Sequence, residues 1–151
     1  MKTVGTFGQG KMLYAGVVCA LFVTGLAGPA RAEESAADKA KIKVVNDFIA
    51  AWNEPDKAVT YVSDKSSVRM VEGQPAVIGP AALDAMLKSI LTSGTTVSVK
   101  TLNTTVRGPV VVNKRVDTIK SPGKPDQAFP VVGVFLVRDG KIAEWIDYLD
   151  K

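Results

Sequence analysis

Val110-Val111-Val112-Asn113-Lys114-Arg115-Val116-Asp117-Thr118-Ile119-Lys120 is rich in β-branched residues, with polar groups two apart among them. A strand points alternate side chains to opposite faces. Val111, Asn113, Arg115, Asp117 and Ile119 therefore share one face, and Val110, Val112, Lys114, Val116 and Thr118 share the other. An ionised carboxylate in such a setting costs several kcal/mol unless a partner offsets its burial, and Arg115 stands two residues from Asp117 to serve as one. The same period-two, Val/Thr/Ile-rich pattern covers 95–106, 110–120, 129–138 and 141–149, which reads as four strands. Gly108-Pro109, Ser121-Pro122-Gly123 and Arg138-Asp139-Gly140 separate them, and the last is a tight hairpin signal.

Upstream the period changes to that of helices. In 40–53, Ile42, Val45, Phe48, Ile49 and Trp52 recur at spacings of three and four until Asn53-Glu54-Pro55 ends the run. A short second helix is expected over 56–62, capped by Asp56, followed by a strand at 67–71. Gly79-Pro80 opens a third helix through Leu91, with Leu83, Met86, Leu87 and Ile90 as its buried stripe. Residues 33–38 read as a frayed start. Three helices followed by antiparallel strands imply an α+β fold, with the helices on one face of a curved sheet.

Residues 1–32 read as a secretory leader rather than as part of that domain. They combine Lys2 and Lys11, an apolar run over 12–27 and the small-x-small site Ala30-Arg31-Ala32, where cleavage is expected. The product, 33–151, would be a single domain, periplasmic or secreted, with no stable membrane insertion after processing. The leader holds Lys2, Lys11 and Arg31 and no acidic residue. Its removal leaves 16 of the 19 basic residues against 15 acidic ones, and lowers the net charge from +4 to +1. Nucleic-acid binding is thereby unsupported, because phosphate neutralisation needs clustered cations. Cys19, the only cysteine, lies in the leader, and the chain has no histidine. Disulfides, thiolate nucleophiles, imidazole bases and the usual zinc ligand sets are therefore excluded from the mature domain. Proton transfer falls to carboxylates.

The strand 141–149 puts Ala143, Trp145, Asp147 and Leu149 on one face. If the faces bearing Arg115, Asp117 and Asp147 are the concave ones, these three groups converge in a greasy cavity walled by Ile119, Phe129, Val131 and Leu149, with Leu87 from the third helix. Such a cavity is an active-site pattern.

Arg115-Val116-Asp117, Gly133-Val134-Phe135, Asp139-Gly140-Lys141-Ile142 and Trp145-Ile146-Asp147-Tyr148-Leu149-Asp150 resemble the limonene-1,2-epoxide hydrolase family. That family is one of the cone-shaped domains similar to nuclear transport factor 2 and to the SnoaL-type cyclases. The resemblance implies one-step acid-base opening of a small hydrophobic epoxide, with no covalent intermediate and no metal or organic cofactor. Asp117 would be the general acid and Asp147 the general base, with Arg115 bridging them. The family also holds the attacking water with a Tyr and an Asn two residues apart on the first strand. Here that strand reads Ser67-Val68-Arg69-Met70-Val71-Glu72, which offers neither, and Asn113 is a partial substitute. Two other functions stay open: a non-catalytic small-ligand-binding domain, and an isomerase or cyclase related to the steroid isomerases with Tyr61 as oxyanion donor. The alternating Val110, Val112, Val132 and Val134 on the opposite face suit a homodimer.

Overall fold

The computed structural model describes residues 35–149. Residues 1–34, with the expected leader, Cys19 and the expected cleavage site, and residues 150–151 lie outside the described residues. Helix α1 spans Ala36–Ala50 and begins four residues before the expected start. Ser35 explains the difference: its hydroxyl accepts from the backbone N–H of Asp38, a side-chain cap that holds the first turn. Helix α2 is a single turn, Pro55–Ala58, continued by a 3₁₀ turn at Val59–Tyr61. Asp56 is not its cap. Pro55 occupies the first turn, and the Asp56 carboxylate instead takes the ammonium of Lys88 at 2.8 Å.

Strand β1 runs Val62–Arg69, earlier and longer than expected, and a two-residue β2 at Val77–Ile78 pairs with it. Polar Ser63, Asp64, Lys65 and Ser66 hid the beginning of β1, because neighbouring strands rather than its own composition make it extended. Helix α3 spans Gly79–Ile90. Strands β3 (Thr96–Arg107), β4 (Val110–Lys120), β5 (Gln127–Arg138) and β6 (Lys141–Leu149) complete the chain. The period-two pattern located all four, with β5 starting two residues early.

The six strands form one sheet in the order β2-β1-β6-β5-β4-β3. From β3 to β6 each strand is antiparallel to the next, while β1 lies parallel to β6. Asp139 (φ 50°) and Gly140 (φ 71°) form the two-residue hairpin between β5 and β6, both with the positive φ that matches strand twist. Register shifts interrupt β3 at Thr101/Asn103 and β5 at Leu136/Val137. Such bulges bend a sheet.

The core lies between α1, α3 and the sheet face bearing Val111, Phe135, Trp145 and Val68. Phe48 meets Trp145 edge-on at 5.3 Å, and Trp52 and Phe135 stack on Trp145 at 5.1 and 5.8 Å. Each such aromatic pair adds roughly 0.5–1.5 kcal/mol beyond area burial. Asn53, just past α1, ties that end of the core to the edge strand. Its amide nitrogen donates to the Val97 carbonyl at 2.7 Å and its oxygen accepts from the Val97 N–H at 2.8 Å. Loss of both bonds in Asn53→Ala is expected to cost about 1–2 kcal/mol, read as a lower urea midpoint with an unchanged slope.

Candidate active site

β4 and β6 flank β5, and the triad is built across it. Arg115 on β4 is fully buried. Its Nε–H is shared between Asp117 Oδ1 at 2.9 Å and Oδ2 at 3.1 Å. Its Nη2 donates to Asp147 Oδ2 at 2.5 Å. Asp147 Oδ1 accepts the indole N–H of Trp145 at 2.6 Å, so both of its oxygens carry a donor. To join carboxylates on two strands, the guanidinium lies over β5 at Gly133, which pairs with Asp147 on one side and Asn113 on the other. A Cβ at Gly133 would stand 2.2 Å from Arg115 Nη1 and 2.9 Å from Asp147 Oδ1. Only glycine leaves room there. The Trp52 ring covers the other side, 4.9 Å from Arg115 Cζ.

Asp117 and Asp147 open into a cavity of about 260 Å³. Leu87, Ile119, Phe129, Val131 and Leu149, the five wall residues expected from sequence, all line it. Trp52, Met70, Val71, Ile90, Leu91 and Val97 complete the lining. Trp52 is thus both a core residue and part of the cavity lining. Tyr61 packs against the core cluster and is not among the lining residues, so of the donors the isomerase alternative could use only Asp117 faces the cavity. Asn113 is likewise absent from the lining. Its amide nitrogen donates to Thr104 Oγ1 at 2.8 Å, behind the triad, so it does not substitute for the water-holding pair.

The enclosure is apolar, and that sets the titration of the acids. Burial pushes Asp147 up to about 6, against the opposing charge of Arg115 and the hydrogen bonds from Trp145 and Arg115; the nearby Asp117 adds to the rise. Burial also raises Asp117, again against Arg115. One cation serves both acids, and burial lifts both.

Residues 39–151 match the limonene-1,2-epoxide hydrolase catalytic domain. The chain belongs to the limonene-1,2-epoxide hydrolase family.

Among solved structures, an LEH-like epoxide hydrolase of M. tuberculosis is 25% identical, with a TM-score of 0.66 over 74% of this chain and 84% of that one. SalBIII, an epoxide hydrolase/cyclase-like enzyme of pyran ring formation in salinomycin, is 18% identical, with a TM-score of 0.65 over 74% and 92%. A protein of ketosteroid isomerase-like fold from Catenulispora acidiphila is also 18% identical, with a TM-score of 0.63 over 70% and 84%. The last two likenesses concern the fold, the cone-shaped domain of nuclear transport factor 2 and SnoaL proteins. No functionally curated protein matches the sequence.

Against the family pattern, β1 is where this member differs. Val68 is buried in the core opposite Trp145, Met70 lines the cavity and Arg69 is exposed. The inward positions are thus Val68 and Met70, and both are apolar. Two contributions to the site were missed in the sequence reading. The Trp145 indole as a donor to Asp147 was signalled by the Trp-x-Asp spacing on one strand face. The clearance at Gly133 was signalled by a glycine inside a long β-branched strand.

Gly133→Ala is expected to displace the guanidinium and destabilise the protein by more than about 3 kcal/mol, the range for uncompensated buried charge, measured by urea unfolding. The raised pKa of Asp147 fixes a pH dependence. Between about pH 4 and 6 the folded chain keeps a proton that the unfolded chain has lost, so stability falls as pH rises through that window. The shift from 3.8 to about 6 corresponds to on the order of 3 kcal/mol. Asp147→Asn has no such proton to lose, and its melting temperature relative to the parent should rise from pH 4 to pH 7.5.

Proposed function

We propose that the protein is an exported epoxide hydrolase adding water to a small hydrophobic epoxide in one acid-base step. The observation that carries this reading is a pair of carboxylates on a single buried guanidinium at the floor of an apolar cavity. One cation and two carboxylates make a neutral cluster only when they hold one proton, and an apolar enclosure favours neutrality. Hydrogen bonding argues for Asp117 as the holder of that proton, against the burial that raises Asp147. Both Asp147 oxygens already accept N–H donors, which favours its anion, whereas the Asp117 oxygens share one Nε–H.

Asp117 then donates its proton to the epoxide oxygen as the ring carbon–oxygen bond breaks. Water attacks the ring carbon and gives its proton to Asp147, and the product is a diol. The site resets when a proton leaves Asp147 and one returns to Asp117. Arg115 stays charged throughout and orients both acids. The apolar walls exclude other water and favour a hydrophobic substrate.

The leader pattern supports export, to a periplasm or beyond. The half-buried Val110, Val112, Val132 and Val134, on the sheet face opposite the triad, support a homodimer. A second reading, a non-catalytic domain that binds a small hydrophobic ligand, is favoured by Val68 and Met70, which give a water nothing to bond.

Diol formation by residues 33–151 across terpene, aryl and aliphatic epoxides separates the two. The hydrolase should turn over at least one epoxide and lose at least about 10³-fold in kcat in Asp147→Asn and in Asp117→Asn. Its kcat/KM should fall below about pH 6, as Asp147 takes up a proton. Folded protein that binds hydrophobic ligands equally well with Asp147→Asn, and opens no epoxide, would leave the binding domain.

A further inference from the structure

Arg115 uses two of its three nitrogens in the triad, Nε toward Asp117 and Nη2 toward Asp147. Nη1 is buried and has no hydrogen-bond partner among the described residues. Asn113 shows the complementary lack. Its nitrogen is fixed by Thr104, while its Oδ1 is buried and without a partner. An orphaned buried donor and an orphaned buried acceptor therefore occur on one face of one strand, two residues apart.

Register brings them close. Asn113 stands directly opposite Gly133 on β5, and Arg115 Nη1 lies 2.2 Å from where a Gly133 Cβ would be. Directly opposed antiparallel residues have Cβ atoms about 5 Å apart, and the Asn113 amide oxygen lies two bonds beyond its Cβ. The guanidinium thus fills the space over Gly133, and Asn113 is the residue of β4 that stands opposite that glycine. Each unmade bond of this kind costs about 1–3 kcal/mol, and a single bond between the two would remove both deficits at once.

We propose that Asn113 is a positioning residue of the site: its Oδ1 accepts from Arg115 Nη1 and, with its nitrogen anchored on Thr104, fixes the guanidinium on Asp147. The polar line Thr104–Asn113–Arg115–Asp147 then runs across the sheet from the edge strand to the acid-base pair. Asn113 touches no substrate and acts through Arg115. The charged groups facing Asp147 are Arg115 and Asp117, both from β4. The cavity residues from α3 and β5, and Met70 and Val71 beyond β1, are all apolar, so burial and the opposing hold of Arg115 together set when that acid ionises.

The inference rests on the epoxide hydrolase reading only for its kinetic consequence, and the test separates the two. Carboxyl ¹³C NMR titration of Asp147 is compared in the parent, Asn113→Leu and Thr104→Val. With the guanidinium less firmly placed, Asp147 should titrate higher by about half a unit, a threefold change in its dissociation constant, in Asn113→Leu. A smaller shift of the same sign is expected in Thr104→Val, where the amide loses its anchor. On any epoxide the parent opens, the acidic limb of kcat/KM should move by the same amount with KM unchanged. A parent that opens no epoxide sinks the hydrolase reading and leaves the titration to decide the role of Asn113. If Asn113→Leu does not fold, Thr104→Val decides, because Thr104 is only part-buried and valine suits a strand. An Asp147 titration unchanged in the folded variants overturns the proposal.

Discussion

The placement of one guanidinium governs this domain. Arg115 is wholly buried, and a charge so enclosed is tolerated only because Asp117 and Asp147 meet it from two strands. That requirement reaches outward through the fold. It demands a residue without a side chain at Gly133, an aromatic lid in Trp52 and an indole donor in Trp145, all of them in contact with Arg115 or with the carboxylate it holds. It also fixes the register of β4, β5 and β6, since a one-residue slip would turn Arg115, Gly133 or Asp147 to the opposite face. The polar cluster and the aromatic core are one construction, because Trp52 and Trp145 belong to both.

The same arrangement explains how an apolar cavity holds chemistry. Water screens charges outside, and walls of Leu, Ile, Val, Phe and Met remove it inside. Two acids are instead tied to one cation, and burial raises both. Asp147 receives a donor on each oxygen, whereas the Asp117 oxygens share one. β1 contributes packing and no polar group to this system, which is the chief departure from the family pattern.

Much of this was legible in the residues. Period-two alternation placed β4 and β6 to the residue, and its parity put Arg115, Asp117 and Asp147 on inward faces. The five wall residues followed from the same parity and from the helical stripe of α3. What escaped was whatever depends on neighbours. The first half of β1 is polar and becomes a strand by pairing, β2 is two residues long, and the cap at Ser35 extends α1 through a segment that looked frayed. Asn113 looked like a cavity residue by parity alone, yet it lies behind the triad, because its depth along the strand is set by the sheet rather than by its face.

The parallel contact of β1 with β6 orders the assembly of the domain. Strands β3 to β6 are joined by short turns and can pair as successive hairpins, whereas Val68 meets Trp145 only after a long loop has closed. Local pairs of this kind form sooner than distant ones. The triad therefore belongs to the half that organises early, and the opposing wall, with Met70 and Leu87, belongs to the half that docks late. Until that seam closes, the carboxylates and their guanidinium stand in water, where screening leaves the acids close to their ordinary titration range. The raised titration of the acids thus depends on the wall that Met70 and Leu87 help to build, and not on the triad alone.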